Sequence, residues 1–109
     1  MIINLIKYYS FLSLVIIPIT MSANDITMPP DEVLKMPLPL PYNGEIYSES
    51  DIERFLNNSI NKSKQPIIIF GGNWCPDCRI LEGILQLPTI KKYMIEHYEI
   101  MHVDVGRYD

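Results

Sequence analysis

The sequence is poor in cysteine. Among 109 residues there are two, Cys75 and Cys78. So few exclude a scaffold stapled by several disulfides. They also exclude a zinc site closed by two cysteine pairs. Histidine is as scarce, with only His97 and His102. There is no lysine- or arginine-rich block, and the formal net charge is −4, which gives no support to a nucleic-acid partner. Gly71-Gly72 is not followed by Gly-Lys-Ser/Thr, so there is no phosphate loop. No serine–histidine–acid arrangement stands out, and there are no internal repeats. A chain of this length holds one domain at most.

Hydrophobic residues make up 48% of the chain, and a good part of them lie at its start. Lys7 and the amino terminus form a short positive region. Residues 8–19 are apolar except for Ser10, Ser13 and Pro18, and Thr20, Ser22 and Ala23 follow. Residues 1–23 therefore read as a secretory signal peptide, with cleavage after Ser22 or Ala23. The apolar core is shorter than the roughly 20 residues that a spanning helix needs. An uncleaved membrane anchor is the alternative. Removal of Lys7 with this segment leaves 8 basic against 13 acidic residues, a net charge near −5. The mature protein is expected outside the cytosol, periplasmic or secreted, where disulfides persist.

Residues 24–41 hold Met28-Pro29-Pro30 and Pro37-Leu38-Pro39-Leu40-Pro41, five of the nine prolines. This stretch reads as an extended, solvated linker. The domain is expected over residues 42–109. Ser50-Asp51-Ile52-Glu53 matches a capping box, and Ile52, Phe55, Leu56 and Ile60 follow at helical spacing, which predicts a helix over 51–61. Ile67-Ile68-Ile69-Phe70 is a continuously apolar strand, as expected when helices cover both sheet faces. A second helix starts at Cys75 or Pro76, carries Ile80, Leu81, Ile84, Leu85 and Leu87, and ends or kinks at Pro88. Thr89 can cap a further turn with Ile90, Tyr93 and Met94 on its buried side. A second strand is expected over residues 98–105, with Met101, Val103 and Val105 on one face and Ile100 on the other. Strand, helix and strand in one sheet imply a parallel pair, a βαβ core in an α/β fold. Reactive groups in such sheets sit beyond the carboxyl ends of the strands, where residues 71–75 lie.

Trp74-Cys75-Pro76-Asp77-Cys78 occupies that turn. With Cys75 at the N-cap, Cys78 falls one turn in on the same face, and the two sulfurs can close a small ring. The free amides of the first turn and the helix dipole favour a thiolate there. Cys75 is thus the expected nucleophile and Cys78 the resolving thiol. Pro76 suits the first helical position, where a missing N–H costs nothing. A bridge across two residues removes little entropy from the unfolded chain, so the pair suits reactivity better than stability. The charge of Asp77 opposes a thiolate, and Arg79 partly offsets it.

The run from Ile67 to Arg79 (IIIFGGNWCPDCR) resembles the active-site segment of the thioredoxin superfamily, and His102-Val103-Asp104-Val105-Gly106 resembles the strand after it. The resemblance covers residues 42–109. It implies a sheet of four or five strands flanked by helices and a two-cysteine redox cycle, with Trp74 and Pro76 at the substrate-docking surface. Three departures stand out. The chain stops short of the family's second half, including its cis-proline loop, so the resemblance implies an N-terminal portion of the domain, truncated after the second parallel strand. The acidic residue that many relatives carry on the first strand is matched here by Ile69. The lysine that often accompanies it is matched by Ile100.

The expected function is a thiol–disulfide oxidoreductase. Its partners are a disulfide-bearing protein substrate and a thiol redox protein. It is expected to be monomeric, without nucleic acid, without membrane in the mature form, and without cofactor or metal. Two alternatives stand beside it. Cys75 and Cys78 are soft ligands suited to copper(I) or zinc, with His97 and His102 as the further candidates. A thioredoxin-like module could also serve interaction without catalysis.

Overall fold

The computed structural model describes residues 25–107. The expected signal peptide lies outside them. The element order is α1 (Glu49–Asn61), β1 (Gln65–Gly71), α2 (Pro76–Leu85), α3 (Pro88–His97) and β2 (Tyr98–Asp104). Among the described residues β1 and β2 form one parallel pair, with Gln65 opposite Tyr98 and Gly71 opposite Asp104. This is the expected βαβ core. No helix among the described residues is long and apolar enough to cross a membrane.

The start of α1 differs from the expectation. Ser48, not Ser50, is the N-cap. Its hydroxyl accepts from the Asp51 amide, and the Asp51 carboxylate accepts from the Ser48 amide. Both serines fit the pattern three residues before an acid, and the helix begins at the one that satisfies two terminal amides reciprocally. The helix ends at Lys62, and Ser63 takes a left-handed turn (φ 56°) that lets the Lys64 amide reach the Ser59 carbonyl at 2.9 Å. Lys62 and Lys64 then both meet Glu99 Oε1, at 3.3 and 3.2 Å, and fasten the entry of β1 beside that of β2.

The sheet lies between two layers of helix. Met101 faces Phe55 and Asn58 of α1, while the next residue, His102, touches Glu82 of α2. Successive side chains on a strand point to opposite faces, so these contacts assign one layer to each. The continuous apolar run of β1 is only partly covered, since Phe70 is 64% exposed.

Pro88 starts a helix instead of ending one. It occupies the first turn of α3, which follows the C-cap of α2 at Gln86. Leu87, the N-cap of α3, has no side-chain oxygen and is buried. Thr89, the expected cap, lies inside the first turn. Glu32 supplies the missing acceptor from 57 residues away: its carboxylate takes the Thr89 amide at 3.1 Å and the Thr89 hydroxyl at 2.5 Å. A carboxylate at a helix N-terminus also meets the positive end of the dipole.

Residues 25–41, read as an extended solvated linker, are largely exposed but make further contacts with the helices. Leu34, Leu38 and Pro39 approach Gly83 in the middle of α2. Arg79 donates to the carbonyls of Leu38 at 2.9 Å and Pro39 at 3.2 Å. Proline-rich backbone has few amides to pair internally, so its carbonyls are free for such donors. The segment is a strap laid across α2 and α3, and it delivers Tyr42 to the end of β1.

Candidate active site

β1 ends at Gly71, and a turn closed by the Cys75 amide on the Gly72 carbonyl (3.1 Å) brings the chain into α2. Cys75 is the N-cap in extended backbone, and its sulfur accepts from the Cys78 amide at 3.4 Å. Pro76 opens the helix at its first position. Both cysteines are free and half-buried.

The ionisation of Cys78 is eased. The Cys78 thiol is held below the usual cysteine range, first by hydrogen bonding with the Cys75 sulfur, then by the Gly72 backbone and the Tyr42 hydroxyl. Burial and the Asp77 carboxylate act against this. The Cys78 amide donates to the Cys75 sulfur across the first turn of the helix.

Trp74 and Asn73 tie this turn to its surroundings. Trp74 remains 46% exposed, while its indole N–H donates to the Gly106 carbonyl at 2.7 Å, just beyond β2. Asn73 clasps Tyr42 by both backbone groups: its Oδ1 accepts from the Tyr42 amide at 3.0 Å, and its Nδ2 donates to the Tyr42 carbonyl at 2.6 Å. Held in this way, Tyr42 is 5% exposed and brings its hydroxyl beside Gly71 and Cys78. Burial, followed by the nearby Cys78 sulfur, pushes the Tyr42 phenol up to about 12.

Behind the pair lie Glu82 and His102. Glu82 is four residues after Cys78, on the same face of α2. Its Oε2 stands 2.9 Å from His102 Nε2, and the two side chains keep only 14% and 21% of their exposure. The His102 ring meets the Tyr42 ring edge-on at 5.4 Å. His102 pairs with Ile69 across the sheet.

Four of the expected site residues, Trp74, Cys75, Pro76 and Cys78, are thus gathered at the turn. Asp77 is exposed at the start of α2. Arg79 is turned toward the strap carbonyls. His97 sits at the end of α3, stacked on Tyr93 at 4.2 Å. Among the described residues no cluster of three or more His, Cys, Asp and Glu is placed to hold a metal ion. Tyr42, Asn73 and Glu82 went unrecognised in the sequence. The spacing from Cys78 to Glu82 was a usable signal, but Tyr42 and Asn73 are 31 residues apart and carried none.

A parallel strand–helix–strand unit with a CxxC pair at the helix N-terminus defines an α/β fold similar to thioredoxin-like structures. No family model matches the sequence, and no curated protein does. Among solved structures the chain is similar to the disulphide isomerase from Xylella fastidiosa Temecula1, with 30% identity and a TM-score of 0.56. The match covers 63% of this chain and 53% of that one, so the chain spans about half the length of the protein it resembles.

Proposed function

We propose that the protein is a thiol–disulfide oxidoreductase acting on protein disulfides through Cys75 and Cys78. The observation that carries this reading is the sulfur–amide contact at the head of α2, where Cys75 is an N-cap acceptor one turn from a second thiol. The Cys75 thiolate attacks one sulfur of a substrate disulfide. A Cys75–substrate bond forms, and the other substrate sulfur leaves with the electron pair. Cys78 loses its proton and attacks the Cys75 sulfur, the second substrate sulfur leaves as a thiolate, and an internal bridge remains. The substrate gains two electrons and the pair loses two. In reverse the same steps oxidise a dithiol, and the potential against the partner sets the direction. The exposed indole of Trp74 beside the nucleophile is suited to docking an extended disulfide-bearing segment.

The protein is exported and works with a thiol redox protein as its second partner, as a monomer. Support for export comes from the apolar character of residues 8–19 and from the persistence of protein disulfides, the substrates proposed here, in oxidising compartments.

Cys78→Ser tests the reading. Without the resolving thiol, the Cys75–substrate bond should persist and be seen as a covalent adduct lost on reduction. Absence of adducts, together with no turnover of a model disulfide by the wild type, would overturn it.

A further inference from the structure

The chain between the strap and α1 carries chemistry that disulfide exchange does not use. Asn43-Gly44 is the single Asn-Gly pair of the sequence, and both residues are exposed. Gly44 sits at φ 75°, and a Cβ built on it would meet nothing within 4 Å. With no side chain of its own and open space beside it, Gly44 leaves the approach to its backbone nitrogen clear. The Asn43 side chain is folded back along the main chain, and its Oδ1 accepts from the Glu45 amide at 3.1 Å. This turn brackets the Gly44 peptide unit and keeps Asn43 Cγ near it. The donated proton also draws electron density from the Cγ carbonyl and makes its carbon a better electrophile.

The other described asparagines lack this combination. Asn57, Asn58 and Asn61 belong to α1, and the residues after them, Asn58, Ser59 and Lys62, all carry side chains. The helix fixes a backbone on which a five-membered ring with the following nitrogen does not close. Asn73 precedes Trp74, and its Oδ1 and Nδ2 are both bonded to the Tyr42 backbone, at 3.0 and 2.6 Å.

We propose that Asn43 is a modification site, converted to aspartate and isoaspartate through a cyclic imide with Gly44. The Gly44 nitrogen gives its proton to solvent and attacks Asn43 Cγ. A carbon–nitrogen bond forms, the Cγ–Nδ2 bond breaks, and ammonia leaves with a proton from solvent. Water then adds to one of the two imide carbonyls. Addition at Cγ restores the ordinary main chain and gives aspartate. Addition at the main-chain carbonyl leaves Gly44 attached through Cγ and gives isoaspartate. One water is consumed, one ammonia is released, and nothing is oxidised or reduced. Both products carry a new carboxylate. Isoaspartate also adds one atom to the main chain directly after Tyr42, the residue clasped beside Cys78. Residues 43–46 are exposed, so the fold accommodates the longer path before the Ser48 cap.

The test holds the full reduced chain in warm, mildly alkaline buffer and follows it by mass. Trypsin releases residues 36–54, with Asn43 as their only asparagine, residues 55–62 with Asn57, Asn58 and Asn61, and residues 65–79 with Asn73. The first peptide should give way to two products, each about 1 Da heavier, while the other two keep their masses. Conversion in the folded chain should proceed at nearly the rate of a synthetic peptide of residues 36–54. Asn43→Gln, whose longer side chain would have to close a larger ring, should abolish the mass gain. Gly44→Ala should slow it about tenfold, because a Cβ obstructs the attack. That backbone is strained for alanine, so Asn43→Gln decides alone if Gly44→Ala does not fold. An unchanged mass for residues 36–54 of the folded chain while the synthetic peptide converts would overturn the proposal. Equal gains in the other two peptides would overturn it as well, and either result would leave the exchange reading standing.

Discussion

The phenol of Tyr42 and the sulfur of Cys78 meet over the α-carbon of Gly71. A Cβ built there would stand 2.7 Å from Cys78 Sγ and nearer still to Tyr42 Oη. Gly71 is therefore required by close approach, since its backbone is the floor on which the strap, the strand and the redox helix converge. Gly72, its neighbour, is crowded by a different group, the indole of Trp74.

The two glycines should respond differently to alanine. At Gly71 the obstacle is a buried ring clasped by Asn73, and Gly71→Ala should cost about 1–3 kcal/mol of stability. At Gly72 the obstacle is a half-exposed indole that can swing aside, so Gly72→Ala should cost less. It should break the Trp74–Gly106 hydrogen bond and shift the fluorescence of the single tryptophan. Urea unfolding of both reduced variants checks the order, and equal losses would contradict it.

Tyr42 makes stability depend on alkaline pH. Its phenol ionises near 10 when unfolded and at about 12 when folded. A raised value in an acid means that the folded state prefers the neutral form. The contribution is therefore complete below pH 10 and is lost as pH rises toward 12. Denaturant midpoints measured across that range should fall for the wild type and fall less steeply for Tyr42→Phe. Parallel curves would refute the assignment.

Asp77 opposes the thiolate of the pair. Asp77→Asn should let the first thiol ionise at lower pH and make the pair more oxidising, because it removes a charge that disfavours the reduced, ionised form. Since Asp77 is exposed, the difference should shrink in high salt. Thiolate absorbance against pH at two ionic strengths reads both effects. A difference indifferent to salt would point away from charge.

The strap is fastened by Glu32 at Thr89 and by Arg79 at Leu38 and Pro39. Glu32→Gln keeps an acceptor but removes the charge at the head of α3, and Glu32→Ala removes both. Losses should rise in that order, reaching about 1 kcal/mol for alanine, the usual cost of a lost N-cap. Cleavage by proteases within residues 29–39 should accelerate in parallel. Unchanged cleavage would mean that Arg79 alone holds the strap.

Much of the site was legible because its logic is local. The cap position of Cys75, Pro76 at the helix start, and Cys78 one turn in are decided by neighbours within four residues. The same locality produced two misplacements. Ser48 and Ser50 both precede an acid at capping distance, and only the reciprocal bond with Asp51 separates them. Pro88 is compatible with stopping one helix or opening another, and the acceptor that favours opening is the distant Glu32.

Residue order alone determined a strand, a reactive turn, a helix and a second strand, since apolar period, capping and CxxC spacing operate over one or two turns of chain. Tertiary structure decided what surrounds the sulfurs. Tyr42 reaches the turn across 31 residues, Arg79 reaches Pro39 across 40, and Thr89 reaches Glu32 across 57. Such contacts follow no period. They exist because the strap closes over α2 and because Ile69 and His102 fall opposite each other in a parallel register, and both are properties of the assembled chain.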